Sequence, residues 1–134
     1  MTMQAREFVF CDSEVSSVAI EGDILRVRFA AAHVTEPDAN SLAGRVRGYV
    51  DGVELRCLGG PWAAFHTDGL VGRLVDGRVS VGGSWRGRLP LPVTLDGPVP
   101  IELRFANQSE LIVTATSFSL AAPPGAVFGE SFAC

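Results

Sequence analysis

Arginines inside predicted strands are the residues of this sequence with the clearest capacity for chemistry. Planar guanidinium groups bind carboxylates and phosphates through paired hydrogen bonds, and a fixed strand face would hold several of them in one plane. The first candidate binding residues share such a face, on predicted strands at 45–50 and 53–58: Arg45, Arg47, Tyr49 and Arg56. The hypothesis is that this face meets a small anion or an acidic partner.

The relation between Arg47 and Arg56 depends on how the chain turns at Asp51-Gly52. A two-residue hairpin there would place the two arginines directly opposite each other, which costs a few tenths to ~1 kcal/mol. The functional hypothesis is that these arginines meet an anion or an acidic partner surface. The alternative is a solvated face that Glu54 and acids of adjoining strands neutralise.

Two tryptophans, Trp62 and Trp85, complete the candidate binding set because both fall in glycine-containing predicted loops. Loop tryptophans are typical of binding patches, since they bury a large area at low entropic cost. A small-ligand protein with an anionic or sugar-like molecule in a pocket beside both tryptophans is therefore an alternative function. The other interpretation is that each ring fills an end of the fold.

A catalytic alternative would use Cys57 as nucleophile with His66 as base and Asp68 to orient it, or would build a hydrolase on His66 and Asp68. The predicted strand turns Cys57 inward beside Val46, where a thiol behaves as a small hydrophobe. The sequence has no Cys-x-x-Cys, no paired histidines and no glycine-rich phosphate loop. We therefore expect no catalytic residue, no metal and no cofactor.

Composition narrows the classes of partner. The formal net charge is −4 with a pI of about 5.1, which argues against nucleic-acid binding. No segment predicts a secretion signal or a membrane span, and three widely spaced cysteines suit reduced thiols, so we expect a cytoplasmic protein. Charged residues make up only 19% and mean hydropathy is +0.26, which favours a protein partner or self-association.

Four Asp-Gly dipeptides dominate the local structural signals, because Asp-Gly between alternating apolar runs favours type I′ hairpin turns. They are Asp51-Gly52, Asp68-Gly69, Asp76-Gly77 and Asp96-Gly97. We predict hairpins at the first and third, a three-residue loop including Pro98 at the fourth, and only a loop end at Asp68-Gly69.

An earlier hairpin is predicted through Glu21 to Ile24, pairing Ile20 with Leu25 and placing Arg26 and Arg28 on the opposite face. Residues 35–43 are the single helix candidate. The sequence thus predicts one domain, residues 1–134, that is all-β: an antiparallel β-sandwich or partly open barrel of eight or nine strands with at most one short helix.

The opening Phe8-Val9-Phe10-Cys11-Asp12-Ser13, followed by Leu25-Arg26-Val27-Arg28-Phe29, resembles the start of several small bacterial all-β proteins. That group includes uncharacterised proteins and immunity proteins of bacterial toxin systems, and often has His where this chain has Cys11. The resemblance implies a structural corner at Asp12-Ser13 and no catalytic residue. It implies a non-catalytic bacterial binding or interaction protein, in a toxin-neutralising or accessory role.

Overall fold

Alternation of apolar and polar residues organises this chain into antiparallel strands, described by a computed structural model for residues 6–37 and 44–130. In those ranges there are ten strands: β1 (Arg6–Glu21), β2 (Ile24–Pro37), β3 (Arg45–Val50), β4 (Glu54–Leu58), β5 (Gly72–Val81), β6 (Ser84–Arg86), β7 (Arg88–Leu91), β8 (Val93–Phe105), β9 (Glu110–Ala121) and β10 (Phe128–Glu130). A single turn of 3₁₀ helix, Trp62–Ala64, interrupts them.

Six of these strands close into a barrel in the order β2-β4-β9-β8-β5-β1, and pairing of β1 with β2 completes the ring. The other four strands of the described ranges extend it, β10 and β3 beside β2, β7 beside β1, and β6 beside β5. The all-β prediction is confirmed. The barrel is closed rather than partly open, and ten strands replace the expected eight or nine.

Large apolar side chains fill the barrel. The fully buried phenylalanines are Phe8, Phe10, Phe29, Phe105 and Phe118. Phe8 forms edge-to-face contacts with Phe10 at 4.8 Å and with Phe29 at 5.2 Å between ring centroids. The second contact joins β1 to β2, the two longest strands, inside the barrel.

The hairpin of β1 and β2 has the predicted register. Ile20 pairs with Leu25 and Val18 pairs with Val27. The turn is tighter than expected, because Glu21 also pairs with Ile24, which leaves Gly22 at the turn with φ of 61°. Inward Leu25 and Val27 are fully buried, so the polar side chains between and after them face outward.

The predicted hairpin at Asp51-Gly52 is wrong, because β3 and β4 each pair with β2 instead of with each other. The Gly52 N–H donates to the Phe29 carbonyl at 3.3 Å, and the Phe29 N–H donates to the Val53 carbonyl at 3.0 Å. Residues 45–58 therefore form one antiparallel run along β2 with a bulge at Gly52, whose φ is 78°.

The hairpin predicted at Asp76-Gly77 is also wrong, since both residues lie inside β5. Gly77 pairs with Leu103, and a Cβ added to Gly77 would lie 2.8 Å from the Cβ of Phe10. Glycine is needed there for close packing of β5 on β1, and the chain reverses later, at Gly82-Gly83.

The loop predicted at Asp96-Gly97-Pro98 is a bulge instead. It lies within β8, where Asp96 pairs with Ser117 and Val99 pairs with Ala115. Asp68-Gly69 is a turn near the end of a loop and not a hairpin, with Gly69 at φ of 80°, and the loop continues to Val71 before β5 begins.

The corner predicted at Asp12-Ser13 is a bulge within β1, where Asp12 has φ of 71°. Ser13 is fully buried there. Its hydroxyl donates to the Val9 carbonyl at 2.7 Å and accepts the His33 N–H at 2.8 Å. The His33 Nδ1 lies 2.9 Å from the Cys11 carbonyl oxygen. The bulge interrupts the backbone pairing of β1 with β2, and the Ser13 hydroxyl bonds to backbone groups that would otherwise lack a partner.

The helix predicted over residues 35–43 is wrong at its start, because residues 35–37 continue β2 and pair with β3. Residues 38–43 lie outside the described ranges. Nowhere in the described part of the chain does a helical segment have the length and apolar character that crossing a bilayer requires.

Candidate functional site

Pairing of β2 with β4 gathers four charged side chains on the outer wall of the barrel. Arg26 lies opposite Arg56, and Arg28 lies opposite Glu54. Their neighbours along each strand point into the core, so strand alternation turns all four outward. We call this group, Arg26, Arg28, Glu54 and Arg56, the arginine cleft.

Three guanidinium groups in the cleft converge on one carboxylate. Glu54 Oε1 lies 2.6 Å from Arg56 Nε and 3.3 Å from Arg26 Nε, while Oε2 lies 3.1 Å from Arg28 Nε. The Glu54 side chain is 17% exposed, whereas those of Arg28 and Arg56 are 61% and 50% exposed. The carboxylate is thus covered by cations that themselves face solvent.

The charges around Glu54 control its protonation. Burial by itself raises the pKa of this carboxyl, but hydrogen bonds from Arg56 and Arg28 and the charge of Arg26 outweigh it. The net effect holds the pKa of Glu54 below its ordinary value of 4.5. Glu54 is therefore ionised at neutral pH, and it fixes the positions of Arg28 and Arg56 by charge-assisted hydrogen bonds, while Arg26 interacts with it through charge alone.

Positive charge exceeds negative charge in the cleft. Arg26 has a second carboxylate partner, Glu21, at 3.0 Å. In the described ranges, Glu54 is the sole ionic partner of Arg28 and of Arg56. Each of these two contacts engages Nε, so the Nη groups of both arginines retain donors for an incoming anion.

A cavity of about 710 Å³ has Arg28, Glu54 and Arg56 among its lining residues. Several other lining residues have small side chains or are proline: Ser16, Gly52, Ser119, Ala121, Ala122 and Pro123. One wall exists because of the bulge at Gly52, over which Pro123 packs. The volume lies in the range of ligand-binding clefts.

No known protein-family model matches this chain, and no curated protein or solved structure is significantly similar to it. Any functional conclusion therefore depends on the geometry of the molecule itself.

Of the candidate binding residues predicted on β3 and β4, only Arg56 belongs to the cleft. Arg47 pairs with Thr35 on β2, so the predicted opposition of Arg47 and Arg56 is wrong. Arg45 donates from Nε to the Thr35 hydroxyl at 2.8 Å. Tyr49 lies across from His33, with 5.8 Å between ring centroids. These three residues sit on β3, outside the barrel ring.

Arg26 and Arg28 were missing from the predicted site although the first hairpin placed both on the outer face. Their position beside Glu54 depends on pairing of β2 with β4, residues far apart in the chain. The useful signal was the alternation Arg26-Val27-Arg28 beside Glu54-Leu55-Arg56. This alternation shows that each strand has a charged face. It does not show that the two strands are neighbours in the sheet.

The two tryptophans occupy different environments. Trp62 is 4% exposed, donates from Nε1 to the Asp23 carbonyl at 2.9 Å, and packs edge-to-face on Phe65. Trp85 is 43% exposed on β6, with the Arg78 guanidinium carbon 4.2 Å from its ring centroid. Neither lines the cleft cavity, and their rings make no aromatic contact with each other in the described ranges. The structure therefore does not place the two tryptophans beside one pocket, as the small-ligand alternative predicted.

The residues of the catalytic alternative are similarly dispersed. Cys57 is fully buried, and burial raises the pKa of its thiol to about 12, so it stays protonated at neutral pH. Its strand partners are Leu25 and Phe118, not Val46. His66 and Asp68 are exposed, and neither side chain has a hydrogen bond in the described ranges. Within these ranges, no three His, Cys, Asp or Glu residues could jointly hold a metal ion.

The other barrel walls pair arginines and acids one to one. Arg104 Nε lies 3.2 Å from Glu110 Oε2, and Arg73 Nη1 lies 3.3 Å from Asp12 Oδ1. The side chains of Arg73 and Arg104 are 53% and 58% exposed, close to those of Arg56 and Arg28. These pairs therefore provide an internal reference for the cleft.

Proposed function

We propose that this chain is a non-catalytic binding protein that holds a negatively charged group of its ligand at the arginine cleft. The observation that carries the proposal is the convergence of Arg26, Arg28 and Arg56 on Glu54 beside an open cavity. Glu54 orders guanidinium groups that would otherwise be mobile, and this reduces the entropy that binding must remove.

The one-to-one pairs elsewhere on the barrel support a binding role over simple charge neutralisation. Arg104 with Glu110 needs no further counter-charge, whereas Arg28 and Arg56 share one carboxylate with Arg26. Like charges on neighbouring strands destabilise a sheet. A ligand anion would remove that penalty, which makes its binding favourable beyond the direct contacts.

The form of the proposal that we favour is a cytoplasmic bacterial protein whose partner is another protein, in an immunity-like or accessory role. The opening residues and the low charged fraction of 19% support it. The alternative is a small-ligand protein for an anionic molecule, which the cavity volume of about 710 Å³ supports. In both forms of the proposal the ligand contacts Arg28 and Arg56.

The decisive test compares two double variants, Arg28→Ala/Arg56→Ala and Arg73→Ala/Arg104→Ala. The probes are a poly-glutamate peptide and inorganic phosphate, titrated calorimetrically at low and at physiological salt. We expect the natural chain to bind at least one probe, with affinity that falls as salt rises. The first variant should lose about tenfold or more in affinity, equivalent to about 1.4 kcal/mol.

The second double variant removes the same net charge from equally exposed positions, so it should bind as the natural chain does. Circular dichroism confirms that both variants are folded. Absence of binding to both probes, or equal losses in the two variants, would reject the proposal.

A further inference from the structure

We infer that the ligand of the arginine cleft is an extended acidic segment of a partner protein, in which two residues at positions i and i+2 bring carboxylates to Arg28 and Arg56. This inference rests on the proposed function and specifies its partner. Three independent features of the cleft support it: the spacing of the two arginines, the position of Glu54 between them, and the direction of the cavity.

The strand lattice sets the spacing. Arg28 is opposite Glu54 and Arg26 is opposite Arg56, so Arg28 and Arg56 are diagonal neighbours on adjacent strands. Diagonal neighbours in an antiparallel pair are about 7–8 Å apart. Alternate side chains of an extended segment lie on one face about 6.6 Å apart. Two acidic residues in that arrangement match the two guanidinium groups.

Glu54 makes a single small oxyanion a poorer match. Its two oxygens each hold a different arginine, Oε2 holding Arg28 and Oε1 holding Arg56. The Glu54 carboxylate therefore already occupies the place from which one anion would contact both Nε groups. What remains is one free Nη edge on each arginine, and each edge suits a separate carboxylate in bidentate geometry.

The cavity runs across the strands. Its lining includes Ser16 of β1, Arg28 of β2, Glu54 of β4 and Ser119 of β9. Three inter-strand spacings amount to about 14 Å, enough for about four residues of extended chain. The serine hydroxyls at the two ends can bond to the backbone of such a segment, and Ala121 and Ala122 leave room for it.

The net charge of −4 does not oppose this assignment. The Debye length at physiological salt is about 8 Å, so distant carboxylates of the chain are screened from a segment in the cleft. The adjacent charges are three arginines against two carboxylates, Glu54 and Glu21, so positive charge remains in excess. A short acidic segment thus meets a local positive field, even though the whole molecule is acidic.

The experiment uses short peptides of one composition that differ only in spacing. One carries two aspartates at i and i+2, a second carries them at i and i+3, and a third has asparagine at i and i+2. Inorganic phosphate serves as the small-anion probe. Affinities are measured by fluorescence anisotropy or calorimetry with the natural chain and with the two double variants, Arg28→Ala/Arg56→Ala and Arg73→Ala/Arg104→Ala.

We expect the i, i+2 aspartate peptide to bind the natural chain about tenfold more tightly than the other two peptides, equivalent to about 1.4 kcal/mol. Arg28→Ala/Arg56→Ala should abolish this preference, and Arg73→Ala/Arg104→Ala should retain it. The milder change Arg56→Lys keeps the charge but removes the planar fork, so it should weaken the same preference while the fold is preserved.

The outcomes separate the inference from the proposed function. If phosphate binds through Arg28 and Arg56 but both aspartate peptides bind equally or not at all, the segment is refuted and the anion site stands. If neither phosphate nor any peptide binds through these arginines, both proposals fail.

Discussion

Replacement of Glu54 by glutamine tests the energetics of the arginine cleft most directly. Glu54→Gln keeps the side-chain shape but removes the charge that Arg26, Arg28 and Arg56 share. Hydrogen bonds to a charged group contribute about 1.5–3 kcal/mol when well buried, while exposed ion pairs contribute about 0–1 kcal/mol. Since Arg28 and Arg56 are at least half exposed, both contributions must be discounted toward the lower range.

The variant also leaves Arg26 opposite Arg56 with no carboxylate at position 54. Such a like-charge pair costs a few tenths to ~1 kcal/mol. In total we expect Glu54→Gln to lower the free energy of unfolding by about 2 kcal/mol at pH 7. For a chain of this size the melting temperature should fall by about 8 °C. Urea and thermal unfolding, followed by circular dichroism, measure both quantities.

The pH dependence gives this prediction a definite sign. Because the arginines hold the native pKa of Glu54 below 4.5, its stabilisation is complete above about pH 4.5. It is lost as the pH falls through the lower native value, since the carboxyl is then protonated in the folded state too. The gap between the natural chain and Glu54→Gln should therefore close at acid pH.

Glu110→Gln is the matched control, because it changes the net charge equally and removes a carboxylate with a single arginine partner at 3.2 Å. It should cost less than about 0.5 kcal/mol. The reasoning about the cleft is wrong if Glu54→Gln costs no more than Glu110→Gln. It is also wrong if the gap stays constant between pH 7 and pH 3.

The remaining predictions concern packing, a buried hydroxyl and thiol reactivity. Gly77→Ala should cost about 1–3 kcal/mol in urea unfolding, because the new Cβ would lie 2.8 Å from the Cβ of Phe10. Ser13→Ala should cost a similar amount, because it leaves the buried His33 N–H without its acceptor. Cys57 should resist an aromatic disulfide reagent at pH 8 until the protein unfolds, because its pKa is raised to about 12.

Each of these changes has a control in the same chain. Gly87→Ala should be close to neutral, as the nearest heavy atom to its added Cβ is 3.5 Å away. Ser16→Ala should also be close to neutral, because its hydroxyl is exposed and makes a single 3.2 Å hydrogen bond. In a Cys134→Ser background the exposed Cys11 should react at once. Equal effects in a change and its control would contradict the corresponding argument.

Sequence reasoning predicted the strands of this fold better than their connections. The register of the first hairpin is correct, and so is the shift of alternation near residues 115–117 of β9. That shift lies opposite the bulge of β8, where Asp96 pairs with Ser117 and Val99 pairs with Ala115. Local alternation reports which face of a strand is buried, and burial is what both features depend on.

The Asp-Gly turns were misassigned for a conformational reason. Gly52 and Gly97 have φ of 78° and 81°, which is the left-handed region that a hairpin turn requires. A glycine in that region also forms a bulge, in which the strand bends but continues. The dipeptide specifies the local backbone, whereas the choice between reversal and bend depends on distant partners such as Phe29.

Most residues of the candidate site could not be predicted from the sequence for the same reason. Arg56 was identified, but its true neighbours Arg26 and Arg28 adjoin it only because the bulge at Gly52 lets β4 continue along β2. A hairpin at the same place would have given β4 a different partner strand. One dipeptide thus decides which arginines share a carboxylate.

Closure of the barrel has a consequence for aggregation. Open sheets expose long edges that recruit other chains, and an apolar sequence is especially prone to this. Here the strands at the ends of the described sheet path, β7 and β10, and the side strand β6, have only three or four residues, with Arg86 and Pro90 among them. The seam between β1 and β5 has the fewest paired residues in the ring, since Glu14 pairs with Arg73 and Val15 with Gly72, and no further residues pair there in the described ranges. Parting of that seam would expose the edges of two strands of ten and sixteen residues, so protection of this apolar chain from aggregation depends on a short stretch beside the proposed binding cavity, where Ser16 follows Val15 directly.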